Sequence, residues 1–362
     1  MVSEMKAIDI LLDAASVPIR WRIEREIMGR EKTETVTLDE LTEYPVAREH
    51  LDYLTGNTDL KSLSGMEDSV FENACGKLCD LGLRKGIPEL DRRIEPYLKF
   101  LGELIENRDS DEYRNTVPVA RDYIATLVAS SLNVLGYHVT RFVRKHLSGR
   151  FRKLAGFVEK FNPETFHASE KIVDPQVYWG AKVKILSPQW LADSSFPLPT
   201  MYDAFTWPSF SGSKSFQVIN DIIRLCLSEE YQGLPPAYNM IIPSKRKHML
   251  TVPLIKLPGY KNGKIHPRQV DRLLRILSRL APFPSAKSDP WFKKSLEWLE
   301  GLVDKDGLCR IPKDALKHDV CGGWILGMRP SLEPKPRTYE KRVLEATFRF
   351  FLIKEVVGGK KH

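Results

Sequence analysis

The chain has 362 residues, of which 42% are hydrophobic and 28% charged, with a formal net charge of +8. That length and composition suffice for a large core and indicate a well-solvated surface. The longest uncharged run, Tyr123–Tyr137, is shorter than the roughly 18 residues that indicate a transmembrane helix, so no membrane span is predicted.

The N-terminal residues and the cysteines bear on location. Met1–Ala15 is acidic and amphipathic, with Lys6 as its only base, and it lacks the features of a secretory signal. The five cysteines are scattered, which fits reduced thiols better than a disulfide framework. We therefore expect a cytoplasmic protein.

Apolar residues recur at helical three- and four-residue steps along most of the chain. They predict helices over residues 18–29, 44–55, 71–83, 89–105, 119–137, 142–161, 214–227, 268–281, 291–302 and 338–356, and a short helix starting within Leu198–Asp203. Consecutive helices form helix-turn-helix units, which are typical of a helical array or a closed ring. The uneven spacing of the units indicates diverged repeats.

The first predicted helix, residues 18–29, combines an apolar stripe with many charges. Ile19, Ile23 and Ile27 are expected to face inward and the 44–55 helix to be its partner. The charged residues expected to lie largely outward are Arg20, Arg22, Glu24, Arg25 and Glu26. They are read either as Arg–Glu pairs along the helix or as a face that contacts phosphate.

The Pro267–Leu302 stretch is the clearest helical hairpin. Arg272, Arg275 and Arg279 fall between the apolar positions of its first helix and are expected on the wetter side. Pro282-Phe283-Pro284 breaks that helix. Ser288 or Asp289 is the expected cap of the next helix, with Pro290 in its first turn.

Three irregular insertions, at about residues 162–199, 229–266 and 304–336, interrupt the second half of the chain. Met240–Ile242 and Val252–Leu257 are possible short strands within the second insertion. Since each insertion joins helical units, all three are expected to gather over one end of the assembly as a lid.

The start of the Leu198–Asp203 helix carries an acid in an aromatic neighbourhood. Asp203 follows Tyr202 and precedes Phe205, Trp207 and Phe210. Asp203 is therefore a candidate acid or cation partner facing a cavity. The alternative is that the helix dipole alone favours an acid in the first turn.

Three further motifs have both functional and structural interpretations. Asp319 and Cys321 can supply an oxygen and a thiolate to zinc, or can belong to a glycine turn with a buried cysteine. Cys75 and Cys79 lie one helical turn apart. They can be read as two ligands of one metal ion or as small core residues. Lys245–His248 is a basic run, suited to phosphate or simply solvated. No metal or other cofactor is predicted.

With these residues in view, the chain resembles the helical-ring proteins grouped with squalene cyclases and protein prenyltransferases, and more closely the squalene-cyclase-like proteins of bacteria and archaea. The resemblance runs from about Ala15 onward and is carried by Asn73–Leu83, Leu198–Asp203, Glu229–Gln232, Leu273–Leu302 and Asp306–Arg329. It implies one all-α domain over residues 1–362, an α/α toroid whose inner helices surround a ligand cavity.

The chain departs from the activities of these families. It lacks the Asp-x-Asp-Asp motif of class II terpene cyclases and the Gln-Trp repeats of squalene cyclases. Asp319-x-Cys321 is similar to the zinc-binding Asp-x-Cys of protein prenyltransferases, but only His362 follows it. The resemblance therefore predicts neither the cyclase nor the prenyltransferase activity for this chain. Whether the chain is an enzyme is left open.

The resulting hypothesis is that the protein binds a small, partly apolar, isoprenoid-like ligand in an aromatic-walled cavity. The catalytic candidates are Asp203 as the acid and Tyr202 as a stabiliser of a cationic centre. The ligand-binding candidates are Trp207, Trp324, Tyr178, Trp179 and the anion clamp Arg329. The alternative is an open HEAT-like array that binds nucleic acid or a protein partner on a basic face.

Overall fold

The computed structural model describes residues 2–65, 67–106, 118–167, 184–187, 190, 198–242, 248–317, 331–334 and 338–359. Several sequence-predicted residues lie outside these ranges, and their roles stay predictions. They are Tyr178, Trp179, Asp319, Cys321, Trp324, Arg329 and most of the Lys245–His248 run.

Helix dominates the described chain. The helices are α1 (Val2–Ala14), α2 (Val17–Arg22), α3 (Leu38–Thr42), α4 (Pro45–Asp52), α5 (Leu60–Leu63), α6 (Phe71–Leu81), α7 (Pro88–Glu106), α8 (Pro118–Val134), α9 (Arg141–Lys160), α10 (Met201–Thr206), α11 (Phe216–Leu227), α12 (Glu229–Gly233), α13 (Val270–Leu280), α14 (Pro284–Ser288), α15 (Pro290–Glu300) and α16 (Tyr339–Val357). The strands are β1 (Lys184–Ile185), β2 (Ala237–Ile242) and β3 (His248–Pro253). The mostly helical content confirms the all-α prediction at that level. None of the described helices has the length and apolarity to cross a membrane.

The chain divides into two compact units, and the division falls within α7. Unit 1 comprises Met1–Glu95, Val134–Gly136 and Leu257–His362, and unit 2 comprises Pro96–Asn133 and Tyr137–Lys256. The prediction of one domain over the whole chain stays a prediction.

Unit 1 buries the apolar stripes that the sequence predicts. Leu273 and Leu277 of α13 are fully buried, and α13 packs chiefly against α16. Asp289 caps α15 by accepting from the backbone N–H groups of Trp291 and Phe292, as expected. The predicted tight turn instead contains the short helix α14, because Pro284 suits the first helical position.

Two expectations for unit 1 are wrong. Helix α4 packs chiefly on α6, not on the first predicted helix. Arg22, Glu24 and Arg275 are buried, although they were expected on the wet side. A π-helical turn at Ile23–Ile27 inserts an extra residue into the 18–29 segment, which changes the helical period that the sequence argument assumed.

The buried charges of Arg22 and Glu24 are compensated, because each side chain has a hydrogen-bonded partner. Arg22 donates from Nε and Nη2 to the two carboxylate oxygens of Glu26, at 2.7 and 2.6 Å. Glu24 accepts from the backbone N–H of Glu34 at 2.8 Å and from Arg30 at 3.1 Å. The structure therefore favours Arg–Glu pairing along this segment over a phosphate-contacting face.

In unit 2, α9 packs chiefly against α11, and the three strands form one small sheet. β2 pairs antiparallel with β3, Ala237 opposite Pro253, and parallel with β1, Lys184 opposite Tyr238. The first predicted strand, Met240–Ile242, lies within β2, whereas the second, Val252–Leu257, overlaps β3 only at Val252 and Pro253. A bridge between Thr200 and Leu254 holds the start of α10 against the residue that follows β3.

Candidate functional site

The start of α10 is fixed by a capping box. Thr200 is the N-cap, and its backbone N–H and hydroxyl donate to Asp203 Oδ2 at 2.8 and 3.0 Å. These bonds satisfy N-terminal donors that a helix otherwise leaves free. The sequence-predicted acid therefore has a local structural function.

Arg150 of α9 completes the surroundings of Asp203. Its Nε donates to Asp203 Oδ1 at 2.9 Å and its Nη2 to Asp203 Oδ2 at 3.0 Å, with both side chains fully buried. Arg150 also donates to the carbonyl of Leu198. Such a bidentate pair is among the stronger polar contacts in proteins.

Asp203 consequently accepts from two groups of Arg150 and two of Thr200. This arrangement assigns it the work of holding α9 against the start of α10. Its role as a catalytic acid stays a prediction.

Tyr202 lies against Tyr123 of α8. The two rings meet edge to face, with centroids 5.6 Å apart, and the hydroxyl oxygens are 3.4 Å apart. Both residues are buried. Tyr202 therefore joins α8 to α10, and its role in stabilising a cation stays a prediction.

Polar contacts between α8 and α9 continue beside this pair. His146 Nε2 and the hydroxyl of Thr126 are 2.9 Å apart. Burial lowers the pKa of His146 to about 4, so this imidazole is neutral at physiological pH. Lys153 and Asp122 form an ion pair at 2.7 Å between the same two helices.

The residue that best fits a ligand site is Trp207. It follows α10 in the 3-10 turn Trp207–Phe210, has no exposed surface, and its indole Nε1 has no hydrogen-bond partner in the described part of the chain. Such an unsatisfied buried donor costs about 1–3 kcal/mol.

Three more side chains have a buried polar atom without a partner among the described residues; two of them contact this turn, and the third, Ser130, lies one helical turn before Asn133 in α8. We name Trp207, Ser130, Asn133 and His138 the Trp207 cluster. Ser130 Oγ, Asn133 Oδ1 and His138 Nδ1 are buried atoms without a partner among the described residues. Asn133 also donates from Nδ2 to Ser209 Oγ at 3.1 Å, which joins the end of α8 to the 3-10 turn.

Aromatic rings border the cluster. Phe210 meets Phe151 edge to face at 5.0 Å and His138 at 6.3 Å. The cluster thus combines the N–H donor of Trp207, the acceptor oxygen of Asn133, and the Ser130 hydroxyl and His138 Nδ1, which can donate or accept, with apolar ring surface, the composition typical of a site for a small ligand.

Trp207 was predicted from the sequence, whereas His138, Arg150, Ser130 and Asn133 were not. A signal for the last two exists, since they are polar residues within the uncharged run Tyr123–Tyr137. No local pattern marks Arg150, because its partner Asp203 lies 53 residues away in sequence.

A second buried charged group lies in unit 1, around Asp80. Arg275 Nη2 and Arg349 Nη2 lie 2.8 and 3.4 Å from Asp80 Oδ2. Burial raises the pKa of Asp80, but the charges of Arg275, Arg349 and Arg22 outweigh it and hold that pKa below its usual range. The nearby Lys77 is buried too, and burial lowers its pKa to about 8. This network joins α6, α13 and α16, so we assign it to stability.

Within the described ranges, no three His, Cys, Asp or Glu side chains are grouped to hold a metal ion. Cys75 and Cys79 are free and buried, in agreement with their interpretation as core residues.

No protein-family model, curated protein or solved structure matches this chain. The case for a function therefore rests on the residues of the chain itself.

Proposed function

We propose that this chain is a cytoplasmic α/α-toroid protein that binds a small, partly apolar ligand at the Trp207 cluster. The observation that carries the proposal is the buried indole N–H of Trp207, which has no partner in the described chain. A ligand atom that accepts from this group removes a desolvation cost that the free protein otherwise bears.

The chemistry of the cluster indicates the polar part of the ligand. Trp207 can only donate, whereas Asn133 Oδ1 can only accept. A hydroxyl group matches both, because its oxygen accepts one hydrogen bond and its hydrogen donates another. Phe151 and Phe210 offer ring surface to an apolar remainder. A neutral alcohol of isoprenoid type meets these requirements, in line with the resemblance to helical-ring proteins.

A chemical step is a further part of the hypothesis. Isomerisation, cyclisation or transfer on an isoprenoid-like substrate stays a prediction, with Trp324 and Arg329 as its untested participants. We propose ligand binding rather than catalysis, because binding at the Trp207 cluster requires no residue to act as a proton donor.

Thermal unfolding in the presence of farnesol tests the proposal, with farnesene as a hydrocarbon that lacks the hydroxyl group. We expect farnesol to raise the unfolding midpoint more than farnesene. Trp207→Phe keeps an aromatic ring but removes the donor, so farnesol affinity should fall about tenfold, the equivalent of one hydrogen bond of roughly 1.4 kcal/mol.

Trp291→Phe is the matched control. Its indole Nε1 already donates to the carbonyl of Pro258 at 2.8 Å, so this variant should keep the farnesol affinity of the wild type. If farnesol and farnesene raise the unfolding midpoint equally, the ligand hydroxyl is not recognised by the Trp207 cluster. If neither compound raises the midpoint, the proposal of an isoprenoid-like ligand is wrong.

A further inference from the structure

Helix α9 concentrates positive charge. Its 20 residues include seven Lys or Arg and one Glu. Arg150 lies on the buried side, in the ion pair with Asp203. The opposite side carries what we name the basic face, composed of Arg144, Lys145, Ser148, Gly149, Arg152 and Gly156, whose three cations are all exposed.

The cations of the basic face differ from two other exposed arginines of unit 2. Arg141 lies 3.1 Å from Glu106, and Arg224 lies 2.8 Å from Asp221. The side chains of Arg144, Lys145 and Arg152 make no hydrogen bond or ion pair with the described part of the chain. The positive charge of this face is therefore not neutralised by neighbouring carboxylates there.

The positive charge in the first turn of α9 is also unfavourable for the helix itself. The first turn of α9 contains no acid but holds Arg141 and Arg144, where the positive end of the dipole disfavours cations. The N-cap Thr140 makes no side-chain capping bond, because its hydroxyl donates to the carbonyl of Tyr137. Glu106 lies 3.1 Å from Arg141 and offsets its charge, so Arg144 is the cation without a carboxylate partner among the described residues at the start of α9, where an external anion would be favourable.

Two glycines lie on the basic face, Gly149 between the cations and Gly156 one turn beyond Arg152. Each glycine within a helix costs roughly 0.5–1 kcal/mol relative to alanine. No atom lies within 4 Å of where a Cβ would stand at Gly149 or Gly156. Since no internal contact requires glycine there, a close approach from outside the chain offers a physical reason for both.

We propose that the basic face binds the phosphodiester backbone of double-stranded nucleic acid. The unpaired cations extend from Arg144 to Arg152, about 12 Å along the helix, which suits a linear polyanion better than a single phosphate. The face carries only small residues between its cations. It therefore offers no aromatic platform for single-stranded bases and no apolar group for a lipid surface.

Fluorescence anisotropy with a labelled DNA duplex tests this proposal directly. Binding of about three phosphates by the three cations predicts a log–log salt slope of roughly −2.7, or an affinity loss of about 40-fold between about 50 and 200 mM salt. The variant Arg144→Glu/Lys145→Glu/Arg152→Glu should bind at least tenfold more weakly at low salt and show a shallower slope.

The matched control is Lys214→Glu/Lys293→Glu/Lys294→Glu, which reverses three exposed lysines elsewhere and changes net charge equally. It should retain most of the wild-type affinity. The proposal is overturned if the wild type does not bind the duplex at low salt, or if both variants lose affinity alike. It is also overturned if polyglutamate binds the basic face as tightly as the duplex, since the occupant is then an acidic protein.

Discussion

Arg150 and Asp203 form a bidentate ion pair with no solvent exposure on either side chain, at 2.9 and 3.0 Å. The pair holds α9 against the start of α10, four residues before Trp207. The position of the Trp207 cluster therefore depends on a contact between residues that are far apart in sequence.

Removing one partner of this pair should destabilise the protein severely. Arg150→Met and Asp203→Asn should each lower the free energy of unfolding by about 3–5 kcal/mol, because each leaves a buried polar group without its counter-ion. The double variant should lose less than the sum of the single losses. Urea denaturation at neutral pH measures all three.

An exposed pair provides the control. Arg224 and Asp221 lie 2.8 Å apart at the surface of unit 2, so Arg224→Met should cost about 0.5 kcal/mol or less. A loss at Arg150 no larger than this would show that the buried pair does not hold the two helices together.

The two buried tryptophans should respond differently to loss of the N–H donor. Trp291→Phe leaves the carbonyl of Pro258 without its donor, so it should cost about 1–3 kcal/mol more than the lost ring volume. Trp207→Phe removes a donor without a partner, so in ligand-free protein it should cost distinctly less. Chemical denaturation of both variants compares them; a greater loss at Trp207 would point to an internal acceptor for its indole.

His50 should make the protein sensitive to acid. Burial, and next the charge of Lys77, lower the pKa of His50 to about 4. As pH falls from about 6.5 towards 4, the unfolded chain takes up a proton that the folded chain does not. Stability is therefore lost over this range, by roughly 2 kcal/mol for this one group between pH 7 and 5.

Urea midpoints at those two pH values test this sign and size. His50→Gln can keep the hydrogen bond that the ring makes to the carbonyl of Val46, and it should reduce the acid-induced loss by about 2 kcal/mol. His266→Gln changes an exposed ring and should leave the wild-type pH dependence intact. An unchanged pH dependence in His50→Gln would contradict the prediction.

Gly82 ends α6 in a left-handed conformation, with φ at +98°. A Cβ there would stand 2.9 Å from Arg22 Cγ and 3.1 Å from Trp21 Cδ1. Gly86 has a similar φ of +102° but no atom within 4 Å. Gly86→Ala should cost about 1 kcal/mol from backbone strain alone, and Gly82→Ala should cost at least about 1 kcal/mol more. Equal losses in thermal denaturation would mean that α2 does not pack closely on this turn.

Helix positions were predictable because their signals are local. The apolar period, the prolines and the capping residues predicted α6, α7, α9 and α13 within a few residues. The same reasoning failed at Arg275, which it placed on the wet side. That side chain lies 2.8 Å from Asp80, a partner 195 residues away that no local pattern reveals.

The candidate site was predictable only in part for the same reason. Trp207 was identified from its aromatic neighbourhood. The features that distinguish it are an unsatisfied N–H and the unsatisfied oxygen of Asn133, which contacts the same 3-10 turn, and these depend on tertiary packing. Asp203 was identified as an acid at a helix start, but its pairing with Arg150 became evident only in three dimensions.

Native mass spectrometry of freshly purified protein tests ligand binding at the Trp207 cluster most directly. We predict one small molecule per chain in the wild type, with occupancy retained in Trp291→Phe and strongly reduced in Trp207→Phe. A bare wild-type chain, or a bound molecule whose occupancy is the same in both variants, would contradict the proposed site.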